Sequence, residues 1–236
     1  MDAREPGVDE VHLWWASCGA ATHADPRLYG LLDATERARA NRFRVGSARR
    51  RYLAARALTR LVLGRHTGVA PAALAFASGS RGKPRIENPL SGPRVCFNVA
   101  HSGDTVVVAV AGRELGVDVE TVREVPSLER LAARYCSAAE RDRLNRLPKN
   151  RRAAAFLKVW TGKEAYLKAI GSGVAMPLRS VEVELEPLRL ARLNNDPHAA
   201  AEWTLLGADL PGPAVCTVAI RVSHPRLHVQ EFSWPV

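Results

Sequence analysis

Two neighbouring stretches constrain this chain most: Thr105-Val-Val-Val-Ala-Val-Ala111 and, just after it, Gly116-Val-Asp-Val-Glu120. The first is uncharged and rich in β-branched residues, so it predicts a buried strand. The second alternates Val117 and Val119 with Asp118 and Glu120, which predicts another strand. Alternation puts both carboxylates on one face, about 7 Å apart along the strand. Two acids beside a buried sheet repel unless something positive sits between them. A hard cation such as Mg²⁺ would serve, because it takes carboxylate oxygens together with waters and phosphates. A basic side chain would serve too. A solvated edge strand with two surface acids needs neither.

The rest of the pattern alternates strands with groups of helices. A strand over 11–16 opens the chain. Helices follow over 33–44 and 47–67, with Asp33 and Ser47 as N-caps and Gly68 as the stop. The second of these carries Arg49, Arg50, Arg51, Arg56 and Arg60 on one side and an apolar row on the other. A short strand over 74–78 leads into Gly79-Ser-Arg-Gly-Lys-Pro84, which lacks the Walker spacing. Strands over 95–102 and 105–111 form a hairpin through Gly103-Asp104. Helices then span 127–135, 137–147 and 149–170, the last being the longest; Ser137 and Glu140 make a capping box. In the last of these helices Lys163 falls within the core row Phe156, Val159, Leu167 and Ile170, so it requires an anion. Trp160, Glu164 and Lys168 share another row at i, i+4 spacing. Strands return over 180–185, 201–206, 215–222 and 227–232. No role is assigned to 189–198, of which 194–198 reads as a loop. The repeated order predicts an α/β (α+β) fold with a pseudo-twofold arrangement of two similar subdomains, 1–113 and 114–236. Each is a small, mostly antiparallel sheet packed with helices.

Composition narrows the function classes. With 34 Lys and Arg against 24 Asp and Glu, the net charge is +10, which predicts an acidic partner. No apolar run is long enough to cross a membrane, and the first residues lack a signal-peptide core. The four cysteines are scattered, without a Cys-x-x-Cys pair, and predict reduced structural thiols in a cytoplasmic protein.

Gly116-Val-Asp-Val-Glu120 and Trp160-Thr-Gly-Lys-Glu-Ala-Tyr-Leu-Lys168 together resemble the paired signatures of 4′-phosphopantetheinyl transferases. Gly82-Lys-Pro84 and Phe97-Asn-Val-Ala-His-Ser102 resemble further motifs of the long, single-chain Sfp-type branch. The resemblance implies transfer of the phosphopantetheine arm of coenzyme A to a serine of an apo carrier protein, with release of 3′,5′-ADP. It implies that Asp118, Glu120 and Glu164 hold Mg²⁺ or Mn²⁺. Glu164 is ligand, general base or both; Lys168 and Asp118 join it in the catalytic set. Coenzyme A contacts fall to Arg39, Arg51, Tyr52, Lys83, His101, Lys163 and Lys168. The implied partners are coenzyme A and acidic acyl or peptidyl carriers of fatty-acid, polyketide or nonribosomal peptide synthesis. A monomer without nucleic-acid or membrane partners is expected. Ala100 departs from the family, where many relatives have serine before the histidine; a hydroxyl contact to phosphate is then missing.

Three other readings compete. A basic nucleic-acid-binding module explains the charge, but no motif of that class is present. A hydrolase or acyltransferase would use Ser102 or Cys216, without a Gly-x-Ser-x-Gly elbow. A catalytically inactive, carrier-binding relative would not need Asp118, Glu120, Glu164 and Lys168 intact.

Overall fold

The computed structural model describes residues 6–19, 26–79, 82–87, 95–172, 176–194 and 196–234; residues 80–81 of the glycine loop and Gly173 lie outside them. The first half begins with β1 (Glu10–Ser17), α1 (Pro26–Gly30), α2 (Ala34–Asn41) and α3 (Gly46–Thr67). A 3₁₀ turn at Pro71–Ala73 leads to the hairpin β2 (Phe76–Ser78) and β3 (Pro84–Ile86), then β4 (Cys96–Ser102) and β5 (Thr105–Ala111). The second half repeats the order with β6 (Leu115–Thr121), α4 (Leu128–Tyr135), α5 (Ala138–Arg146) and α6 (Lys149–Ala169). Another 3₁₀ turn, Leu178–Ser180, leads to the hairpin β7 (Val181–Leu185) and β8 (Leu188–Leu193). Then come α7 (Pro197–Ala201), β9 (Thr204–Ala208), β10 (Ala214–Ile220) and β11 (Arg226–Glu231).

The sheets repeat as well. One has the order β11-β1-β5-β4 and the other β6-β10-β9. The antiparallel set β1-β5-β4 corresponds to β6-β10-β9. The two sheets stack face to face and bury Val11, Leu13, Val107 and Ala109 against Val117, Val119, Val218 and Ile220. α3 covers the outer face of the first sheet, with Ala54, Leu58 and Val62 against Val106, Val108 and Val110. α6 covers the second, with Ala165 and Ala169 against Ala219 and Phe156 and Leu167 in the same cluster. The valine run therefore serves two cores at once, its alternate residues facing α3 and the other sheet. This is why it has no polar face.

Several expectations are revised. α3 starts at Gly46 with Val45 as an uncapped N-cap, so Ser47 lies inside the helix. α3 is also longer than α6, at 22 residues against 21. The unassigned segment after Arg189 contains most of β8, and α7 follows with Asp196 as its N-cap. β11 does not stay with residues 114–236, because it pairs in parallel with β1. That pairing covers a strand whose outer backbone groups would otherwise lie open at the sheet edge. Arg60 is fully buried rather than on an arginine surface: it donates to Glu36, to Asp33 and to the carbonyls of Pro71 and Leu74.

Candidate active site

β6 turns Gly116, Asp118 and Glu120 toward α6. A Cβ on Gly116 would fall inside the α6 backbone, against Ala165 and Ala169. Glycine therefore lets strand and helix meet backbone to backbone. That close approach brings Glu164 and Lys168 over the two strand acids. Gly162, which lowers helix propensity, is explained in the same way: a Cβ there would press on Val183 and Leu205 at 3.2–3.3 Å.

Lys168 supplies the positive group that the paired carboxylates call for. Its Nζ donates to Asp118 Oδ1 at 2.7 Å and to the Val117 carbonyl at 3.1 Å. Asp118 is 8% exposed. Burial pushes its carboxyl up to about 6; Lys168 opposes the shift, while Glu164 and Glu120 add to it. Glu164 is also pushed up, first by burial and further by Glu120, against Lys168. The three acids thus share one electrostatic neighbourhood. One oxygen from each does not come within 4.8 Å of the others; among the described residues Glu10, His12 and His228 meet that spacing. Asp118 is turned to Lys168, and Glu120 to Ser102.

A divalent cation nevertheless fits the donor set. Asp118 Oδ2 is buried and accepts no hydrogen bond. An ionised buried acceptor with no donor is costly, and a hard cation would satisfy it. All three side chains offer carboxylate oxygen, the donor Mg²⁺ prefers.

β4 holds this strand in place. Asn98 Oδ1 accepts the Val117 N–H at 2.9 Å, and Ser102 Oγ accepts the Thr121 N–H at 3.1 Å. Ser102 in turn donates to Glu120 Oε2 at 2.8 Å, so its hydroxyl orients an acid instead of serving as a nucleophile. Sequence reasoning missed both roles; the signal was two polar residues on one face of an otherwise apolar strand. Ala100 lies between them on that face and is buried in the inter-sheet core. It points away from His101, so no hydroxyl beside the histidine is lost there. Cys216 is buried, and burial, with Asp118 nearby, drives its thiol far above the ordinary range, which argues against a thiolate nucleophile. All four cysteines are buried, and none is in a disulfide.

His101 stands at the rim. Partial desolvation, then the charges of Arg51 and Lys168, hold its imidazole below the usual range, with Glu120 pulling the other way. His101 is thus brought to Glu120, and Arg51 to His101. Arg39 and Tyr52 are not: the Arg39 guanidinium lies 5.5 Å from the Tyr52 ring, which packs on Phe43. Tyr52 follows Arg51 by about 100° around the helix, enough to separate the two.

Two expected phosphate contacts are corrected. Lys163 is 1% exposed and donates to Glu140 Oε2 at 2.6 Å and to the carbonyls of Tyr135 and Leu178 at 3.0 Å. Its three donors are used, so its anion is a protein carboxylate. Lys83 donates to Glu114 Oε2 at 2.7 Å and to the carbonyls of Leu115 and Ala169, and so sutures the two halves. Between the halves lies a cleft of about 600 Å³, with Lys83, Asn98 and Val99 on one side and Tyr135, Glu164 and Lys168 on the other. Lys163 stands behind it and ties down the backbone at Tyr135 and Leu178, both of which line the wall. Among the described residues, no helix is long and apolar enough to cross a membrane.

Known proteins resemble this chain in sequence. The family profile described as 4′-phosphopantetheinyl transferase superfamily matches residues 114–219, and that described as 4′-phosphopantetheinyl transferase, N-terminal, matches residues 23–113. The 4′-phosphopantetheinyl transferase HetI of Nostoc sp. is 37% identical over 216 residues, which cover 91% of this chain and 88% of HetI. The 4′-phosphopantetheinyl transferase Sfp of Bacillus subtilis is 30% identical over 159 residues, 67% of this chain and 69% of Sfp. The L-aminoadipate-semialdehyde dehydrogenase-phosphopantetheinyl transferase of Eremothecium gossypii is 38% identical over 170 residues, 69% of this chain and 60% of its own length. Matched in both halves, and followed along nine-tenths of its length by the cyanobacterial relative, the chain belongs to the 4′-phosphopantetheinyl transferase superfamily.

Proposed function

We propose that the acids beside the cleft transfer the 4′-phosphopantetheine group of coenzyme A to a serine of an apo acyl or peptidyl carrier protein. The carrier serine Oγ bonds to the phosphorus that bears the pantetheine. The bond from that phosphorus to the nucleotide phosphate breaks, and its electron pair leaves with 3′,5′-ADP. The observation that carries the reading is Asp118: a buried carboxyl paired on one oxygen with Lys168, with the other oxygen unsatisfied, beside Glu120 and Glu164.

Asp118, Glu120 and Glu164 would hold Mg²⁺, with Mn²⁺ acceptable to the same oxygens. When bound, the ion neutralises charge on the diphosphate. Glu164 receives the serine proton, directly or through one water, and its raised affinity for protons suits it to that role. Lys168, one turn along α6, faces the diphosphate and balances charge on the departing nucleotide. His101 and Arg51 meet phosphate at the rim, and Asn98 and Ser102 keep β6 in register with β4. Arg39 and Tyr52 form an outer contact for the nucleotide end.

The net charge of +10 suits both coenzyme A and an acidic carrier. Each half of one chain supplies a wall of the cleft, which supports action as a monomer. A cytoplasmic location, without nucleic-acid or membrane partners, completes the reading. The test is intact mass of apo carrier proteins after incubation with coenzyme A and Mg²⁺. A gain of one phosphopantetheine is expected, and no gain on any carrier would refute the function. Glu164→Gln should keep coenzyme A binding and slow transfer by about 10²–10⁴-fold. Normal turnover by that variant would remove Glu164 from the role of base.

A further inference from the structure

At the edge of the first sheet farthest from β4, Glu10, His12 and His228 converge. Glu10 and His12 are two apart on β1 and share a face. His12 and His228 are register partners across the parallel β1–β11 pair. His12 Nε2 lies 3.6 Å from Glu10 Oε2, and His228 Nε2 lies 3.8 Å from Glu10 Oε1. One donor atom from each residue comes within 4.8 Å of the other two. The side chains of His12 and Glu10 are 4% and 7% exposed. His228 is 32% exposed, yet its Nε2 is buried and has no hydrogen-bond partner.

The geometry points to a site for a borderline divalent transition metal, Zn²⁺ above all, held by Glu10, His12 and His228 and separate from the acids of β6. Two imidazoles and one carboxylate make an N₂O donor set, which suits Zn²⁺ and not Mg²⁺. Tetrahedral Zn²⁺ with ligands near 2.0–2.1 Å places those ligands about 3.3 Å apart. The two histidines approach different oxygens of Glu10, at 3.6 and 3.8 Å, and one donor from each residue already lies within 4.8 Å of the others, so closure of at most about 1.5 Å reaches that spacing. The surroundings tolerate positive charge at this point. Arg226 Nη2 already donates to Glu10 Oε1 at 3.0 Å from a side chain 69% exposed, so it can yield that oxygen to solvent-borne metal. Glu10 Oε2 also accepts the Gly7 N–H at 2.9 Å. Behind His12, the His66 ring lies 5.1 Å away. The Trp14 indole, a donor only, gives its proton to His66 Nε2 at 3.1 Å, so His66 keeps a lone pair there and adds no charge. A metal here would staple the last strand of the chain to the first.

The test uses the full chain, stripped with EDTA and titrated with Zn²⁺ against a chromophoric chelator. One equivalent is expected per chain, unchanged by excess Mg²⁺ and by Asp118→Asn. His228→Gln should weaken binding by more than about 100-fold, the upper end for losing a mere supporting partner. It should also abolish the rise in melting temperature that Zn²⁺ gives the parent protein, while transfer to a carrier stays unchanged. Because His12 is buried and its replacement could unfold the strand, the test turns on the partly exposed His228. Zn²⁺ binding of equal strength in the parent and His228→Gln, or binding lost in Asp118→Asn instead, would overturn the site.

Discussion

In the first half Glu36 closes the capping box of α2 and is buried against Arg60 of α3. In the second half Glu140 closes the capping box of α5 and is buried against Lys163 of α6. The sequence separations are nearly equal, 24 and 23 residues. In both halves the cation also binds carbonyls in or beside the 3₁₀ turn after its own helix: Pro71 and Leu74 for Arg60, Leu178 for Lys163. One buried cation thus ties a short helix, a long helix and the turn that follows. The two halves share a frame, and this ion pair is part of it.

They differ in what faces the long helix from the first strand. In the first half Trp14 of β1 meets α3, with Arg65 5.3 Å from its ring and His66 accepting its indole proton. In the second, Asp118 of β6 meets α6, and Lys168 makes an ion pair with it. A cation on the last turns of each long helix therefore reaches the matching strand, over an aromatic ring in one half and onto a carboxylate in the other. The aromatic version gives the Trp14 indole an acceptor in His66. The carboxylate version leaves Asp118 Oδ2 without a donor and gathers Glu120 and Glu164 nearby. The chemistry therefore lies in the lining of one strand–helix contact, while the frame is common to both.

The strongest way to break that contrast is to remove the two buried cations in turn. Lys163→Met and Arg60→Met should each cost about 3–5 kcal/mol in denaturant unfolding, because each leaves a buried carboxylate uncompensated. Their effects on transfer should differ. Lys163 anchors the backbone of Tyr135 and Leu178 in the cleft wall, so its loss should raise KM for coenzyme A under folded conditions. Arg60 anchors Pro71 and Leu74, which are not among the cleft residues, so its loss should leave KM unchanged. Equal kinetic effects would mean that the frame and the lining cannot be separated.

Much of this frame was legible in the sequence, because local rules decide it. The N-cap at Asp33, the capping box at Ser137, the stop at Gly68 and the period-two strand of Asp118 and Glu120 each depend on residues a few positions apart. The need of Lys163 for an anion was legible too, but the identity of that anion was not. Periodicity ranks a residue by face and is silent on which carboxylate, 23 residues away, meets it. The same limit hid Lys83 on Glu114 and β11 beside β1, both contacts made by residues distant in sequence. β8 escaped because a bulge at Glu182/Val183 shifts the register of its hairpin.

A smaller effect should appear in how each half depends on pH. The Asp118 carboxyl rises from 3.8 to about 6 in the folded protein, so the folded state binds the extra proton between those values. Stability from this group therefore falls as pH rises from about 4 to 6 and is flat above. A shift of about two units corresponds to about 3 kcal/mol. In EDTA, Asp118→Asn should be the more stable protein at pH 7 and should lose that advantage toward pH 4. Mg²⁺ should restore the parent protein alone. A difference between the two proteins that ignores pH would mean that the carboxylate is not strained by its burial.

The smallest expected effect falls on the aromatic counterpart. Trp14→Phe keeps an aromatic ring beside Arg65 but removes the indole N–H, leaving His66 Nε2 without that donor. The lost hydrogen bond should cost about 1 kcal/mol, and the weaker ring–cation contact about 0.5–1 kcal/mol more. Chemical denaturation should register that loss, with transfer to the carrier unaltered. If Trp14→Phe slowed transfer without loosening the fold, the outer face of β1 would belong to the reacting surface, and the division between a structural and a chemical half would fail.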